Sequence, residues 1–146
     1  MRRERFASGM TLIELMMVVG IVAILASIAF PAYSRFTQQT NRTDATKTLQ
    51  MAAQSLERFY SRTFKYTPCN VNGTVMTNGS TMQTPNLFYR ITFAIPTNQT
   101  YTLTAVAIAA PQTSDAQCTQ FTLSSTGQQA ATGSGPNPTK TCWGSN

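Results

Sequence analysis

The sequence contains no histidine and only five acidic residues among its 146 positions. The acidic residues are scattered along the whole chain and are Glu4, Glu14, Asp44, Glu57 and Asp115. Histidine and paired carboxylates supply most general acids, general bases and zinc ligands in proteins. Their scarcity leaves little material for an active site. We therefore expect that the protein is not an enzyme and that it needs no cofactor.

Cysteine is also scarce, and the three thiols, Cys69, Cys118 and Cys142, are widely spaced. None of them belongs to the close C-x-x-C spacing that is typical of a zinc site, so we expect no bound metal. Three single disulfide pairings are open to three cysteines, and the sequence alone does not choose among them.

Negative charge is outnumbered, and the chain carries a net charge of +6, of which residues 2–5 contribute +2. Six of the eleven basic residues lie between Arg35 and Lys65. A solvated helix face explains this concentration as well as a nucleic-acid site does. The basic side chains that we name as candidates for nucleic-acid contact are Arg58, Arg62, Lys65, Arg90 and Lys140.

One segment has no charge at all for twenty consecutive residues, from Leu15 to Ser34. A helix of that length, at about 1.5 Å per residue, spans the hydrocarbon core of a bilayer. Pro31 lies near the far end, where the missing backbone donor predicts either a bend in the helix or its boundary.

The residues in front of the apolar segment read as a targeting element. The basic head Met1–Arg5 favours the cytoplasmic side of a membrane. An ordinary secretory signal places its small-residue cleavage site after the apolar region, whereas Ser8-Gly9 stands before it. Cleavage at this point would leave the apolar segment attached to the mature chain.

Glu14 lies inside this apolar region, where a carboxylate costs roughly 2.5–3.5 kcal/mol on insertion scales. Cutting between Gly9 and Met10 would create an α-amino group with a pKa of about 7.7–8.0, which is largely charged at neutral pH. The sequence therefore predicts that Glu14 pairs with a Met10 amine, either at its own helix end or on a neighbouring chain.

Ser8-Gly9, Met10-Thr-Leu-Ile-Glu14 and Ala29-Phe30-Pro31 together resemble the type IV prepilin signature. The resemblance is close over roughly the first forty residues. It implies that a prepilin peptidase cuts after Gly9 and methylates the amine of Met10. Many members of the family have phenylalanine at this position, so Met10 is a departure that leaves cleavage intact. Family members also often carry a glycine where this chain has Ala23, so any loosening of the helix in a filament is expected at Gly20 instead.

Beyond the apolar segment, side chains recur at three- and four-residue steps and predict an amphipathic helix that continues to about Tyr60. The predicted inner stripe consists of Leu49, Ala52, Ala53, Leu56, Phe59 and Tyr60. The side chains predicted to face outward or toward neighbouring subunits are Arg42, Lys47, Gln54, Arg58 and Arg62. Residues 67–85 are rich in Thr, Asn and Gly and predict a surface loop, with room for one short strand.

Alternating apolar residues from Tyr89 to Ile95 and from Tyr101 to Ala107 predict a hairpin, and residues 120–125 predict a third strand. The predicted fold class is therefore α+β, with a long N-terminal hydrophobic helix that packs its C-terminal half on a small antiparallel sheet. The resemblance to type IV pilins implies the same arrangement, the pilin fold. The expected domains are a leader (1–9), a transmembrane and filament-core helix (10–34) and a periplasmic or extracellular globular domain (35–146).

The tail from Gly133 to Asn146 holds two prolines and three glycines and predicts no regular core element. Pilins commonly tie down their C-terminal region with a disulfide, so the resemblance implies a bond between Cys118 and Cys142. Such a bond would close a loop of about 25 residues and contribute about 3 kcal/mol. Cys69 is then the odd thiol, which is free, unreactive or paired with another chain.

The resemblance implies a structural subunit of a type IV pilus, and the tail resembles minor pilins more than the abundant subunit. Its partners would be other pilin subunits, the prepilin peptidase and the inner-membrane assembly machinery. The chain would span the bacterial inner membrane before assembly and reach the cell-surface pilus afterwards, where it would serve motility, adhesion or DNA uptake. Three alternatives stay open: a type II secretion pseudopilin, a DNA-binding competence pilin and a single-pass membrane protein with an uncleaved anchor.

Overall fold

A computed structural model describes residues 10–144 of the chain. The predicted leader, including Gly9, and the last two residues lie outside this range. The described residues belong to two units, the first ending at Phe36 and the second beginning at Thr37.

The long helix α1 extends from Leu12 to Thr63 and contributes to both units. It continues through Pro31, so of the two predictions made for this proline, the helix boundary is wrong. The first unit exposes its apolar side chains, among them Ile13, Leu25 and Phe30. α1 is the one helix of the described chain that is long and apolar enough to cross a membrane, with a mean hydropathy of 2.6 over its most apolar window. The described structure is therefore compatible with the predicted membrane segment.

The second unit contains two antiparallel sheets. A small sheet pairs β1 (Cys69–Val71) with β2 (Thr74–Met76). The main sheet has five strands in sequential order, so each strand pairs with the next along the chain. Its strands are β3 (Thr81–Gln83), β4 (Tyr89–Thr97), β5 (Thr100–Ala107), β6 (Gln120–Ser124) and β7 (Gln129–Thr132). The predicted hairpin and third strand are confirmed.

The core lies between the C-terminal half of α1 and one face of the main sheet. Leu49, Ala52 and Leu56 of the predicted stripe are fully buried, and the remaining three stripe residues are partly buried against the same core. From the sheet, inward side chains alternate with exposed ones along β4 and β5, as half-buried strands require. The α+β class and the packing of the helix on an antiparallel sheet are thereby confirmed.

Arg42 was predicted to face outward, and this prediction is wrong. Its guanidinium group is buried and donates to both carboxylate oxygens of Asp115, from Nε at 2.7 Å and from Nη2 at 2.8 Å. Nη2 also donates to Oε1 of Gln117 at 3.0 Å. The pair joins α1 to the connection between β5 and β6, and helical periodicity alone gave no sign of a partner 73 residues away. Lys47, Gln54, Arg58 and Arg62 are exposed, as predicted.

Gln112 extends this polar contact along the same connection. Its Nε2 donates to the Tyr89 hydroxyl at 2.6 Å and to the backbone oxygen of Gln38 at 3.2 Å. Asn41 donates to its Oε1 at 3.3 Å. We call Arg42, Gln112 and Asp115 the β5–β6 clamp. Every buried side-chain polar atom in the described part of the chain has a partner, so the clamp is fully satisfied.

The C-terminal tail does contain a regular element, contrary to the prediction. A short helix, α2 (Pro138–Trp143), has proline at its start and Gly144 in the left-handed conformation at its end. Cys142 of this helix is joined to Cys118 by a disulfide, so the pairing that the resemblance implied is present. Proline at the first helical position and glycine after the last one delimit helices well, and the disulfide fixes the short helix against the sheet.

The segment 67–85 is also more regular than predicted, because it forms the three short strands β1, β2 and β3 rather than one. These strands have only three residues each, which is too few for an alternating pattern to identify. Their partners lie on neighbouring strands, and the sequence of the segment by itself does not reveal them.

Candidate functional site

The residues predicted for processing and assembly lie at the start of the first unit. Met10 precedes α1 and is 61 % exposed. Glu14 lies in the first turn of α1, and its backbone N–H donates to the Thr11 hydroxyl at 3.3 Å. Within residues 10–144 of a single chain, the structure gives no ion pair besides that of Arg42 and Asp115, so it supplies no cation for the Glu14 carboxylate. A partner for this carboxylate is therefore sought outside the chain or at its amino terminus.

The second unit has a marked excess of positive charge. From Thr37 onward it contains seven basic and three acidic residues, which gives a net charge of +4. All three carboxylates are engaged within the protein. Asp115 binds Arg42, Asp44 accepts from the Asn86 backbone N–H at 3.3 Å, and Glu57 binds two tyrosines. The donors to Asp44 and Glu57 are neutral groups that do not cancel a carboxylate charge, so the positive surface potential of this unit follows from its net charge of +4.

Three of the five predicted nucleic-acid contacts gather where α1 ends. Arg58 and Arg62 are one helical turn apart and line one groove of about 350 Å³ together with Ser55, Phe59 and Asn70. Lys65 follows two residues after the helix ends at Thr63. All three side chains are exposed. We call Arg58, Arg62 and Lys65 the helix-end cluster.

Three tyrosines near the end of α1 pack against one another. The Tyr66 ring stacks on Tyr60 with centroids 4.5 Å apart and meets Tyr101 edge-on at 4.8 Å. The hydroxyls of Tyr66 and Tyr101 both donate to Oε1 of Glu57, at 3.1 and 3.0 Å. Burial and the Glu57 hydrogen bond raise the pKa of Tyr66 to about 12 and also raise that of Tyr101. Both tyrosines therefore stay neutral donors throughout the physiological pH range.

Arg90 and Lys140 do not join the helix-end cluster. Arg90 is exposed on β4. Its neighbour Tyr89 faces the core, where the hydroxyl accepts a hydrogen bond from Gln112 of the β5–β6 clamp. Lys140 belongs to α2, which packs on β7, on the far side of β5 and β6 from Arg90. The five candidates therefore divide between a cluster at the end of α1 and two separate positions on the sheet side.

Cys69, the odd thiol, is buried and has no disulfide partner. Its sulfur lies 3.5 Å from the backbone oxygen of Ser55. Burial raises the pKa of this thiol, against a smaller lowering by Arg58. A buried, protonated thiol is a poor nucleophile, so Cys69 serves as a core residue in the single chain.

Sequence reasoning missed two features of this region. The first is the role of Glu57, which looks like an ordinary exposed carboxylate in the sequence but holds two tyrosine hydroxyls. The second is Phe64, a large apolar residue between Arg62 and Lys65 that is 73 % exposed. The alternation of basic and aromatic residues from Arg62 to Tyr66 was the available signal for the second.

Comparison with known families covers most of the chain. The model of a family described as "Type IV minor pilin ComP, DNA uptake sequence receptor" matches residues 31–122, which is more than half of the chain. A second family model, described as "Prokaryotic N-terminal methylation motif", matches residues 5–30. No curated protein gives a significant match. The predicted resemblance to type IV pilins is confirmed by these two matches.

Proposed function

The chain belongs to the family of type IV minor pilins of the ComP type, and from this premise we propose that it captures extracellular DNA as a minor subunit of a pilus. The prediction of a minor rather than an abundant subunit agrees with that family. The family is structural, in keeping with the expectation of a protein without enzymatic activity. The observation that carries the DNA proposal is the helix-end cluster, three exposed cations that form no ion pair within the described residues 10–144.

The route to the pilus begins at the amino terminus. The methylation motif and the apolar helix indicate membrane anchoring before assembly into a pilus. We propose that the prepilin peptidase cuts after Gly9 and methylates Met10, that residues 10–34 cross the inner membrane once, and that residues 35–146 fold outside it. The inner-membrane assembly machinery then transfers the helix into a filament core of other pilin subunits, where Glu14 neutralises a neighbouring Met10 amine. Pro31 marks the far end of that core segment.

Processing is tested by intact-mass and N-terminal analysis of the protein from its native membrane. We expect a chain that begins at N-methylated Met10, because Ser8-Gly9 precedes the apolar segment in the prepilin arrangement. Alkylation of the denatured chain before and after reduction is expected to label one and three cysteines, since Cys118 and Cys142 are joined and Cys69, which is buried in the fold, is free. A chain that begins at Met1 would instead support the uncleaved membrane anchor.

DNA capture by the helix-end cluster rests on charge that the protein itself does not neutralise. Phosphate contacts by Lys and Arg release counterions, so affinity falls linearly in log salt with a slope of about −0.9 per contact on duplex DNA. Arg58 and Arg62 line one groove, in which Nη2 of Arg58 donates to the Ser55 hydroxyl at 3.1 Å. Guanidinium groups bind phosphate oxygens in a bidentate way, which suits them to this role.

We expect the double variant Arg58→Gln, Arg62→Gln to bind duplex DNA more weakly and to reduce the salt slope by about 2, one unit for each lost phosphate contact. The measurement is a fluorescence-anisotropy titration of the full chain in detergent at several salt concentrations. The matched control is Arg90→Gln, Lys140→Gln, which removes the same charge from the sheet side. Equal losses in both variants would mean that net charge and not the helix-end cluster determines binding.

The two neighbouring classes make different predictions. A type II secretion pseudopilin would share the leader and the helix but show no salt-sensitive DNA binding. The Cys118–Cys142 disulfide argues weakly against this class, and the ComP family match favours the DNA-binding competence pilin. If the wild-type chain shows no salt-dependent affinity for duplex DNA, the DNA part of the proposal is wrong, and the structural role in a pilus remains.

A further inference from the structure

Phe64 is the most exposed large apolar residue in the described part of the second unit, with 73 % of its surface open to solvent. A single exposed apolar side chain is common on protein surfaces and by itself needs no explanation. Three observations set Phe64 apart from that ordinary case: its backbone conformation, the aromatic residues beneath it and the charges on either side.

The backbone of Phe64 is in the left-handed region, with φ of 55°. Its N–H donates to the Tyr60 oxygen at 2.8 Å and so ends the helix. This position after a helix is most often glycine, because a Cβ costs roughly 1–2 kcal/mol in the left-handed conformation. The fold here places a large aromatic residue where glycine is the favoured choice, and strained residues of this kind cluster at functional sites.

The Phe64 ring contacts an aromatic residue of α1. It meets the Tyr60 ring edge-on with centroids 6.2 Å apart, and Tyr60 stacks on Tyr66. Tyr66 in turn is held by its hydrogen bond to Glu57. A ring supported in this way loses little conformational entropy when it enters a binding site.

Two cations flank the ring closely in sequence. Arg62 lies in the last turn of α1, two residues before Phe64, and Lys65 follows Phe64 directly; both are exposed. Arg58 lies one turn earlier along α1 and shares a groove with Arg62. Proteins that insert an apolar wedge between base pairs combine that wedge with basic side chains, and an exposed ring between two exposed cations is similar to that combination.

We propose that Phe64 inserts between two adjacent base pairs of duplex DNA while Arg62 and Lys65 hold the phosphates on either side. This inference rests on the proposed DNA binding and specifies which side chain contacts the bases and which contact the phosphates. The inserted ring unstacks one base step and bends the duplex, so binding favours flexible pyrimidine–purine steps over stiff sequences. Sequence preference then arises at a step that is read by deformability, without hydrogen bonds to the base edges.

The test compares the full wild-type chain in detergent with Phe64→Ala on a duplex that contains one central TA step. We expect Phe64→Ala to bind about tenfold more weakly or worse, as a lost stacking contact predicts, with the salt slope unchanged. We also expect loss of the bend, measured by energy transfer between dyes at the two duplex ends. Phe64→Trp is expected to retain both the affinity and the bend.

The matched control is Leu87→Ala. Leu87 is also apolar, 59 % exposed and in the left-handed conformation, with φ of 61°. It follows Asn86, whose N–H binds Asp44, a residue about 30 Å from Phe64 along α1 at 1.5 Å per residue. This variant is expected to bind DNA as the wild type does, with the same bend.

The outcomes separate the inference from the proposed function. Wild-type binding that depends on salt, with Phe64→Ala within twofold of it and equally bent, overturns the wedge alone. Absence of wild-type binding overturns both. Phe64→Ala that binds and bends DNA normally but leaves fewer filaments on cells also overturns the wedge, because it assigns Phe64 to packing between subunits.

Discussion

Replacing Arg42 by alanine is expected to lower the free energy of unfolding by about 3–5 kcal/mol, because it leaves the buried carboxylate of Asp115 without its partner. The Asp115 side chain is 2 % exposed, so water does not substitute for the guanidinium group. A loss of this size is a large fraction of the total stability of a small domain, which is typically about 5–15 kcal/mol. Urea titration of the full chain in detergent, followed by the fluorescence of Trp143, measures it.

Two further variants show whether the cause is the unpaired charge. Lys47→Ala removes an exposed cation from the same helix and is expected to change stability by no more than about 0.5 kcal/mol. Arg42→Met combined with Asp115→Leu removes both charges and is expected to recover most of the loss. A single Arg42→Ala cost below about 1 kcal/mol would contradict the burial of the pair.

Replacing Glu14 by glutamine is expected to make membrane insertion more favourable. The same change is expected to lower incorporation into filaments by at least about tenfold. Insertion improves because the carboxylate costs about 2.5–3.5 kcal/mol in the apolar segment. Incorporation suffers because an opposite charge at about 4 Å contributes about 4 kcal/mol at an effective dielectric constant of about 20. The measurement is the amount of the subunit in sheared filaments relative to the amount in membranes.

Glu14→Asp serves as the matched control, because it keeps the charge and shortens the side chain by one methylene group. We expect it to assemble better than Glu14→Gln. If Glu14→Gln enters filaments as well as the wild type does, Glu14 is incidental and the charge pair with Met10 is wrong. Equal failure of both variants would point to the shape of the side chain and not to its charge.

The sequence predicted those parts of the fold that show a period. The apolar stripe from Leu49 to Tyr60 covers about three helical turns, and the alternation of buried and exposed residues continues along most of β4 and β5. Patterns of this length identified the helix and the hairpin. Of the short elements, the strand β6 was predicted, whereas β1, β2, β3, β7 and α2, which have three to six residues each, were missed. Their partners lie elsewhere in the chain, and tertiary contacts determine whether such short segments become regular.

The candidate site divides in a similar way. Basic residues were found by counting charge, but which of them are available depended on distant partners. Arg42 and Arg58 are both arginines of the same predicted helix. Arg42 is buried and paired with Asp115, whereas Arg58 is exposed. For Phe64 the sequence offered only the alternation of basic and aromatic residues around it; its exposure and its φ of 55° become known only from the structure.

The two edge strands of the main sheet, β3 and β7, are protected against pairing with strands of other subunits. An open strand edge invites another chain to add its own strand, which leads to aggregation. Here β3 has only three residues, and β7 is covered by α2, whose Thr139 hydroxyl accepts from the Ala131 N–H while Trp143 donates to the Ala130 oxygen. The disulfide at Cys142 keeps this cover in place. Both features disfavour the addition of a neighbouring subunit's strand to the edges of the main sheet, which matters where subunits are crowded together.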